Sequence, residues 1–509
     1  MKVHEILEMN ANKYPNKLGI IFDEVEKTFS EINSEANSVA NAFLEMGIRP
    51  KDKIATLFYN EPDLIISYFA LLKIGVQVVP INFRLAPPEM AFMLCHSEAK
   101  GIIYDRSFSE TIDAIKPNLG KDMHYIVAGG GGEEGLRLED LKKAGDRNPG
   151  IKVKGDDLSF LMYTSGTTGR PKGVMITYDN TLWNAFGLAM TSELRHRDVV
   201  LNPMPLFHAG ALNRYWSFLL LGCTYISMKN FDAVKSLEMI QKYGVTYMLM
   251  VPAMAQMIFQ VKDLPAYDLS SVRECLITAA IVPVSVKKKV TEVFPNAGLV
   301  DGYGLTEATS CATAIKPEDA FRKLTSVGLP YHFNEAMIVD DHGKEIPAGG
   351  GVGEIVVRGP NVMKGYYKDP KATKEAIVDG WLHTGDLGRR DEEGYFYIVD
   401  RKKDMLISGG ENIYPAEVEA TLNSHLKILE SAVIGAKDEK WGETVLALVV
   451  LHPGESMTTE EVDRYCREKM AKYKRPRVIK FVENLPRNAA GKVMKTELRQ
   501  TYGNAVSYR

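Results

Sequence analysis

The chain has 509 residues, 45% of them apolar and 25% charged, with a formal net charge of −3. Such a length exceeds one small core and corresponds to about three domains of ordinary size, in a chain of globular rather than disordered composition. The near-neutral balance gives no general reason to expect nucleic acid or an anionic membrane surface as a partner. No apolar run approaches the ~20 residues of a membrane span. Met1 to Pro15 alternates polar and apolar residues and lacks the basic, apolar and small-residue order of a secretory leader, and the terminal VSYR is not a peroxisomal address. Cys95, Cys223, Cys275, Cys311 and Cys466 are scattered without C-x-x-C spacing, which argues against zinc and a disulfide framework and fits the reducing cytoplasm.

In chain order, Thr28 and Glu31 form a capping-box pattern ahead of Ile32, Ala36, Val39 and Phe43, which share one helical face that Gly47 ends. Ile54 to Phe58 reads as a strand, Pro62 to Gly75 as a helix and Val76 to Val79 as the next strand, a βαβ unit that recurs. AGGGGEEG (128–135) reads as a loop tip. Between Gly343 and Gly359 the pattern shifts to short glycine-bounded strands such as Gly353 to Val357. After Asp400 come a helix from Pro415 with Val418 and Leu422 inward, and strands at 431–435 and 444–451. A helix capped by Thr458 and Glu461 and a strand at 478–482 follow. The pattern predicts an α/β protein with a large N-terminal domain (1–400), doubly wound with a β-rich part, and a small α+β C-terminal domain (401–509). Cationic excess in the latter is concentrated in KYKRPRVIK (472–480).

YTSGTTGRPKG (163–173) follows the apolar run Leu158 to Met162. Thr164, Ser165, Thr167 and Thr168 supply hydroxyl donors. Gly166 and Gly169 let backbone N–H groups converge, and Arg170 and Lys172 add charge, which is the chemistry of a phosphate cradle. It is not the Walker pattern, because the glycines stand too close and Lys172 follows a proline. The plain alternative is a flexible surface loop.

Four further stretches share its order and kind: DGYGLTE (301–307), WLHTGD (381–386) before DRKKDMLISGGENIYPAEVE (400–419), and PRNAAGKVMKTEL (486–498). Together the five resemble the acyl-adenylate-forming enzymes, among them acyl-CoA synthetases, peptide-synthetase adenylation domains and beetle luciferases. The resemblance covers about residues 5 to 500. It implies ATP, Mg²⁺ and CoA as reactants and cofactors and a small carboxylic acid as substrate. A carboxylate and ATP are both anionic, so their reaction needs cations and donors around the α-phosphate.

The resemblance implies that 163–173 holds the β- and γ-phosphates. In DGYGLTE, bounded by Gly302 and Gly304, Tyr303 lies against adenine with Asp301 near its amino group. Thr306 bonds the α-phosphate, and Glu307 helps hold Mg²⁺. Asp386 accepts the ribose hydroxyls with Arg401 beside it. Lys492 bridges carboxylate and α-phosphate in the first step. The C-terminal domain then turns about Lys403, so that SGGENI (408–413), through Gly409 and Gly410, admits the pantetheine thiol. Lys472, Lys474 or Arg475 meets the 3′-phosphate of CoA. The plain alternatives are a turn cap for Asp386, a core tyrosine for Tyr303, and surface lysines for Lys403 and Lys492.

PLFHAGAL (205–212) stands where amino-acid-activating relatives carry an aspartate for the substrate ammonium; Phe207 and His208 occupy that place here. His208 is then a pocket and gate residue, with a structural histidine as the alternative, and the small residues after it leave room for a bulky acid. The later Phe231-Asp232 pair is a decoy. TAAIVPV (278–284) replaces a usual G-G-A-P, with Ala279 and Ala280 keeping the close approach to adenine and acyl chain. The pattern is most similar to bacterial feruloyl-CoA and medium-to-long-chain fatty acid CoA ligases, with loading of a carrier protein as a further reading.

Overall fold

The computed structural model describes residues 1–504 except 121, 131–134, 165–170, 279–281, 409–410, 439–440 and 489–490. The chain divides into two units, Met1–Ala336 with Val356–His383, and Met337–Ile355 with Thr384–Arg509.

The first unit is α/β, as its sequence pattern predicts. Pro62–Lys73 connects the strands Lys53–Leu57 and Gln77–Pro80, which pair in parallel with Ile54 opposite Val78. This pair belongs to an eight-stranded sheet that runs on through Gly101–Asp105 on one side. On the other it continues through Leu158–Thr164, Lys172–Thr177 and Gly365–Tyr366, the last two added antiparallel. A second sheet of nine strands has a parallel centre, including Tyr247–Met250, Glu274–Ile277 and Gly298–Tyr303. Parallel strands must be covered on both faces, and here they are. Phe69, Phe43, Trp216 and Ala185, from four helices, share one core with strand residues of both sheets, such as Ile54 and Tyr225. Leu237, Ile258 and Val286 cover the outer face of the nine-stranded sheet, and Leu94 and Ile112 that of the other.

The helix Phe29–Glu45 begins at the expected capping box, with Thr28 accepting from Glu31, and Gly47 takes φ +85° just beyond it. The first residues depart from the alternation seen in their sequence. Val3–Lys13 is a helix whose Val3, Ile6, Leu7, Asn10 and Ala11 face inward, a spacing of three and four that a two-residue count hides.

The second unit contains two sheet arrangements, the first antiparallel and the second mixed. One includes the hairpin of 384–390 with Phe396–Arg401, and the start, 353–355, of the strand that the glycine-bounded pattern predicts. The other is a five-stranded sheet on which Pro415–Leu422 packs through Val418 and Leu422. Its central strand pair, Ile428–Asp438 and Gly442–Leu451, is longer than the expected 431–435 and 444–451. Cross-strand pairing extends it to both ends. Thr458 and Glu461 cap Thr459–Lys469 as a capping box.

Candidate active site

Leu158–Thr164 and Lys172–Thr177 form an antiparallel pair with Thr164 opposite Lys172. Ser165, Gly166, Thr167, Thr168, Gly169 and Arg170 lie outside the described residues, so the two flanks carry the description. Lys172 Nζ stands 4.8 Å from the ring centre of Tyr366, a cation–π contact that fixes the ammonium without neutralising it. Tyr366 is placed there because Gly365–Tyr366 adds to the hairpin as an edge strand, opposite Met175 and Val174. Its hydroxyl donates to Glu307 Oε1 at 2.9 Å. Burial, then the Glu307 carboxylate, pushes the Tyr366 hydroxyl well above its ordinary pKa, so it remains a proton donor. Lys172, Tyr366 and Glu307 thus form one continuous polar chain. Tyr366 has no assigned role in the sequence pattern, and only the Gly-Tyr-Tyr run of 365–367 marks it.

Glu307 follows the strand Gly298–Tyr303, at the carboxyl end of a parallel pair, where α/β sheets open to ligands. Its main-chain carbonyl accepts from Met363 N at 2.8 Å. Thr306–Ala308 is a single 3₁₀ turn, and Thr309 and Ser310 then take φ +47° and +76°. Such conformations cost non-glycine residues about 1–3 kcal/mol each and persist only where neighbours enforce them. Asn361 enforces them here: its side-chain amide donates to the carbonyls of Ala308 (2.8 Å) and Cys311 (2.6 Å), and its main-chain carbonyl accepts from Thr309 Oγ1 (2.5 Å). Gly304 has to be glycine, since a Cβ there would stand 1.8 Å from the Ser310 carbonyl oxygen. Thr306 and Tyr303 are half-buried. Asp301 is buried and ion-paired with Lys287 at 3.0 Å. Burial raises its pKa and Lys287 opposes the rise. Thr278 Oγ1 donates to the Gly302 carbonyl at 3.1 Å. Ala279 and Ala280 lie outside the described residues.

His208 is the N-cap of Ala209–Leu220 and is half-buried. Its ring centre is 4.2 Å from that of Phe207, which meets Phe83 edge-on at 5.1 Å, making an aromatic wall. Asp232, read from the sequence only as a decoy, N-caps the helix Ala233–Tyr243, accepting from Lys235 N at 2.8 Å.

In the second unit, antiparallel register sets Asp386 opposite Arg401. The Asp386 carboxylate is nearly buried and takes Arg401 Nε at 2.6 Å. Asp386 lies within the strand rather than at a turn cap. Gly385, at φ +71°, precedes it and donates to Glu354 Oε1. Lys403 is exposed on the turn that Asp404 N closes onto the Arg401 carbonyl at 2.9 Å. Leu406–Ser408 and Glu411–Ile413 pair antiparallel; Gly409 and Gly410 between them are outside the described residues. Lys492 is exposed on a turn where its N–H donates to Asn488 Oδ1 and Gly491 takes φ +78°. Lys474 is paired with Glu417 at 2.6 Å, while Lys472 is exposed.

The model of the AMP-binding enzyme family matches residues 7–367, and that of the AMP-binding enzyme C-terminal domain matches 417–492. The chain belongs to the AMP-binding enzymes, within the acyl-CoA synthetase superfamily. It is 38% identical over 483 residues to the long-chain-fatty-acid–CoA ligase FadD13 of Mycobacterium tuberculosis, covering 95% of this chain and 94% of that one. It is equally 38% identical over 494 residues to a feruloyl-CoA synthase of Amycolatopsis, covering 97% of each. Among solved structures, the o-succinylbenzoate CoA synthetase of Bacillus subtilis in complex with ATP and magnesium ion superposes with a TM-score of 0.87. It is 31% identical, over 97% of this chain and 99% of that one. This acyl-CoA synthetase shows, among its described residues, no helix long and apolar enough to cross a membrane.

Proposed function

We propose that this AMP-forming acyl-CoA synthetase joins a bulky aromatic acid of the hydroxycinnamate class, such as ferulate, to AMP with release of pyrophosphate. It then passes the acyl group to CoA. The observation that carries the reading is the Lys172–Tyr366–Glu307 chain, which links one flank of the phosphate loop to the segment after Tyr303. In-line attack by the acid carboxylate concentrates negative charge at the α-phosphate. Thr164, Lys172 and the loop between them take the β- and γ-phosphates and the leaving pyrophosphate. Thr306 bonds the α-phosphate, and Tyr303 lies against adenine, with Asp301 behind it. Asp386, oriented by Arg401, receives the ribose hydroxyls. Lys492 bridges the reacting carboxylate and phosphate.

Mg²⁺ fits these residues. It favours one or two carboxylates plus substrate phosphate oxygens over an all-protein cage, and Glu307 is a single carboxylate held in place by Tyr366. When bound, the ion would neutralise charge on the phosphate oxygens. For the second step the body 401–509 pivots at Lys403, bringing 408–413 to the thiol's path. With Lys474 paired to Glu417, exposed Lys472 suits the CoA 3′-phosphate better. The Phe83–Phe207–His208 wall supports an aromatic acid, and the relative named for long-chain fatty acids supports an aliphatic one as second reading. The five cysteines, all unpaired thiols, suit a reducing cytoplasm.

Pyrophosphate release and thioester formation over ferulate, coumarate, benzoate, octanoate, palmitate and acetate test this. Ferulate and coumarate are expected to lead. A lead by octanoate or palmitate replaces the aromatic reading, and release unaffected by CoA with no thioester formed points to a carrier-protein acceptor.

A further inference from the structure

The helix Ala209–Leu220 is buried along most of its length, yet its sixth residue is an arginine. Three Lys or Arg residues are buried among the described residues: Lys73, Lys287 and Arg214. Lys73 has the Glu8 carboxylate at 2.5 Å, and Lys287 has Asp301 at 3.0 Å. Arg214, only 4% exposed, meets no carboxylate among the described residues. The titratable groups that act on it are Tyr331, Cys311 and Tyr247. Tyr331 hydrogen-bonds the guanidinium, but its Nε and Nη1 find no acceptor among the described residues. On the neighbouring helix Tyr178–Thr191, the buried side-chain amide of Asn184 also lacks a partner at both its oxygen and its nitrogen. A buried guanidinium keeps its charge and its donors whatever surrounds it, so leaving them without an acceptor is costly.

The place of this arginine gives the cost a purpose. Its helix starts directly after His208, and six residues at 1.5 Å rise put Arg214 about 9 Å further along the axis. Its Nη2 lies 3.9 Å from where a Cβ of Gly302 would stand, with the Tyr331 hydroxyl 3.3 Å from the same point. Gly302 immediately precedes Tyr303. Arg214 therefore lies between the segment that carries the aromatic wall and the strand that carries Tyr303, after which Glu307 follows.

We propose that Arg214 receives the far end of the acid substrate and selects acids that carry a second acceptor there, a second carboxylate above all. This rests on the acid-activating reading given above and narrows its substrate class. A carboxylate supplies the missing counter-charge through charge-assisted hydrogen bonds, and a phenolic oxygen, as in hydroxycinnamates, satisfies the donors without neutralising the charge. A hydrocarbon end leaves both deficits in place, and a site built for an acceptor rejects the analogue lacking one.

The test is pyrophosphate release, as kcat/KM, with 4-carboxycinnamate, 4-hydroxycinnamate and 4-methylcinnamate, three acids that differ only in the 4-substituent. The wild type is expected to favour them in that order, with at least about a tenfold span. Arg214→Met is expected to reverse the order while holding the 4-methyl acid within about threefold of wild type. Should that variant not fold, Arg214→Lys, which keeps the charge, is expected to retain the order with a smaller span. Equal use of all three acids by the wild type overturns the proposal alone, as does an Arg214→Met variant that slows all three alike. Absence of pyrophosphate with every acid, including the aliphatic panel, overturns the proposed reaction and this assignment together.

Discussion

In the first unit Glu307 is held by the Tyr366 hydroxyl and followed by a turn of positive-φ residues that Asn361 braces, and Lys172 lies over the same tyrosine ring. In the second unit Lys403 and Lys492 are exposed on turns closed by main-chain hydrogen bonds. The first arrangement suits groups that must stand still while charge develops, because preorganised donors and charges need no rearrangement at the moment of reaction. The second suits groups that must arrive and depart, because an exposed turn keeps its local hydrogen bonds wherever its domain goes. Asp386 belongs to the second unit in sequence and to the fixed kind in character: its carboxylate is nearly buried and set in register against Arg401.

That contrast can be broken most forcefully at Lys492. Lys492→Ala is expected to slow acyl-adenylate formation by about 10²–10³-fold and to leave thioester formation from supplied acyl-adenylate close to wild type; equal loss in both would remove the division between the two steps. Lys403→Pro is expected to do the reverse, by about tenfold or more in the thioester step, because proline fixes φ at the pivot. Stopped assays of each half-reaction measure both. At the fixed end, Tyr366→Phe removes one hydrogen bond to Glu307, and a loss of about tenfold in the adenylation step is expected. The Mg²⁺ concentration required for half-maximal rate should rise with it while the melting temperature stays nearly constant. An unchanged Mg²⁺ requirement would leave Tyr366 as packing alone.

The smallest expected effect concerns stability. Burial, then the neighbouring Asp105 carboxylate, raises Glu61 to about 8 from its ordinary 4.5. A carboxyl raised in the folded state contributes stability that is complete below the ordinary value and is lost as pH climbs through the raised one. Wild-type stability should therefore decline between about pH 4.5 and 8, and Glu61→Gln should flatten that decline. Chemical unfolding across this range, unchanged by the substitution, would show that Glu61 is not the group responsible.

Local signals were legible where a short stretch decides its own structure. The capping boxes at Thr28 and Thr458 and the helix after Pro62 all follow from three or four consecutive residues. Contacts made across the fold were not. The Tyr366–Glu307 bond joins residues 59 apart, and the Lys287–Asp301 pair depends on how a helix lies along its strand. Asp386 stood out through its motif, but its pairing with Arg401 depends on hairpin register, including an irregularity at Leu387/Gly388 that no residue pattern announces. Arg214 carried no motif at all. Its interest lies in lacking a carboxylate partner, a property visible only once every neighbour has a position.

The most direct measurement is a single turnover with α-labelled ATP and ferulate, with enzyme in excess and CoA withheld and then added. Pyrophosphate and one enzyme-bound acyl-adenylate per ATP consumed are expected, discharged to AMP and feruloyl-CoA when the thiol arrives. Formation of ADP, or of thioester with no acyl-adenylate preceding it, would contradict it.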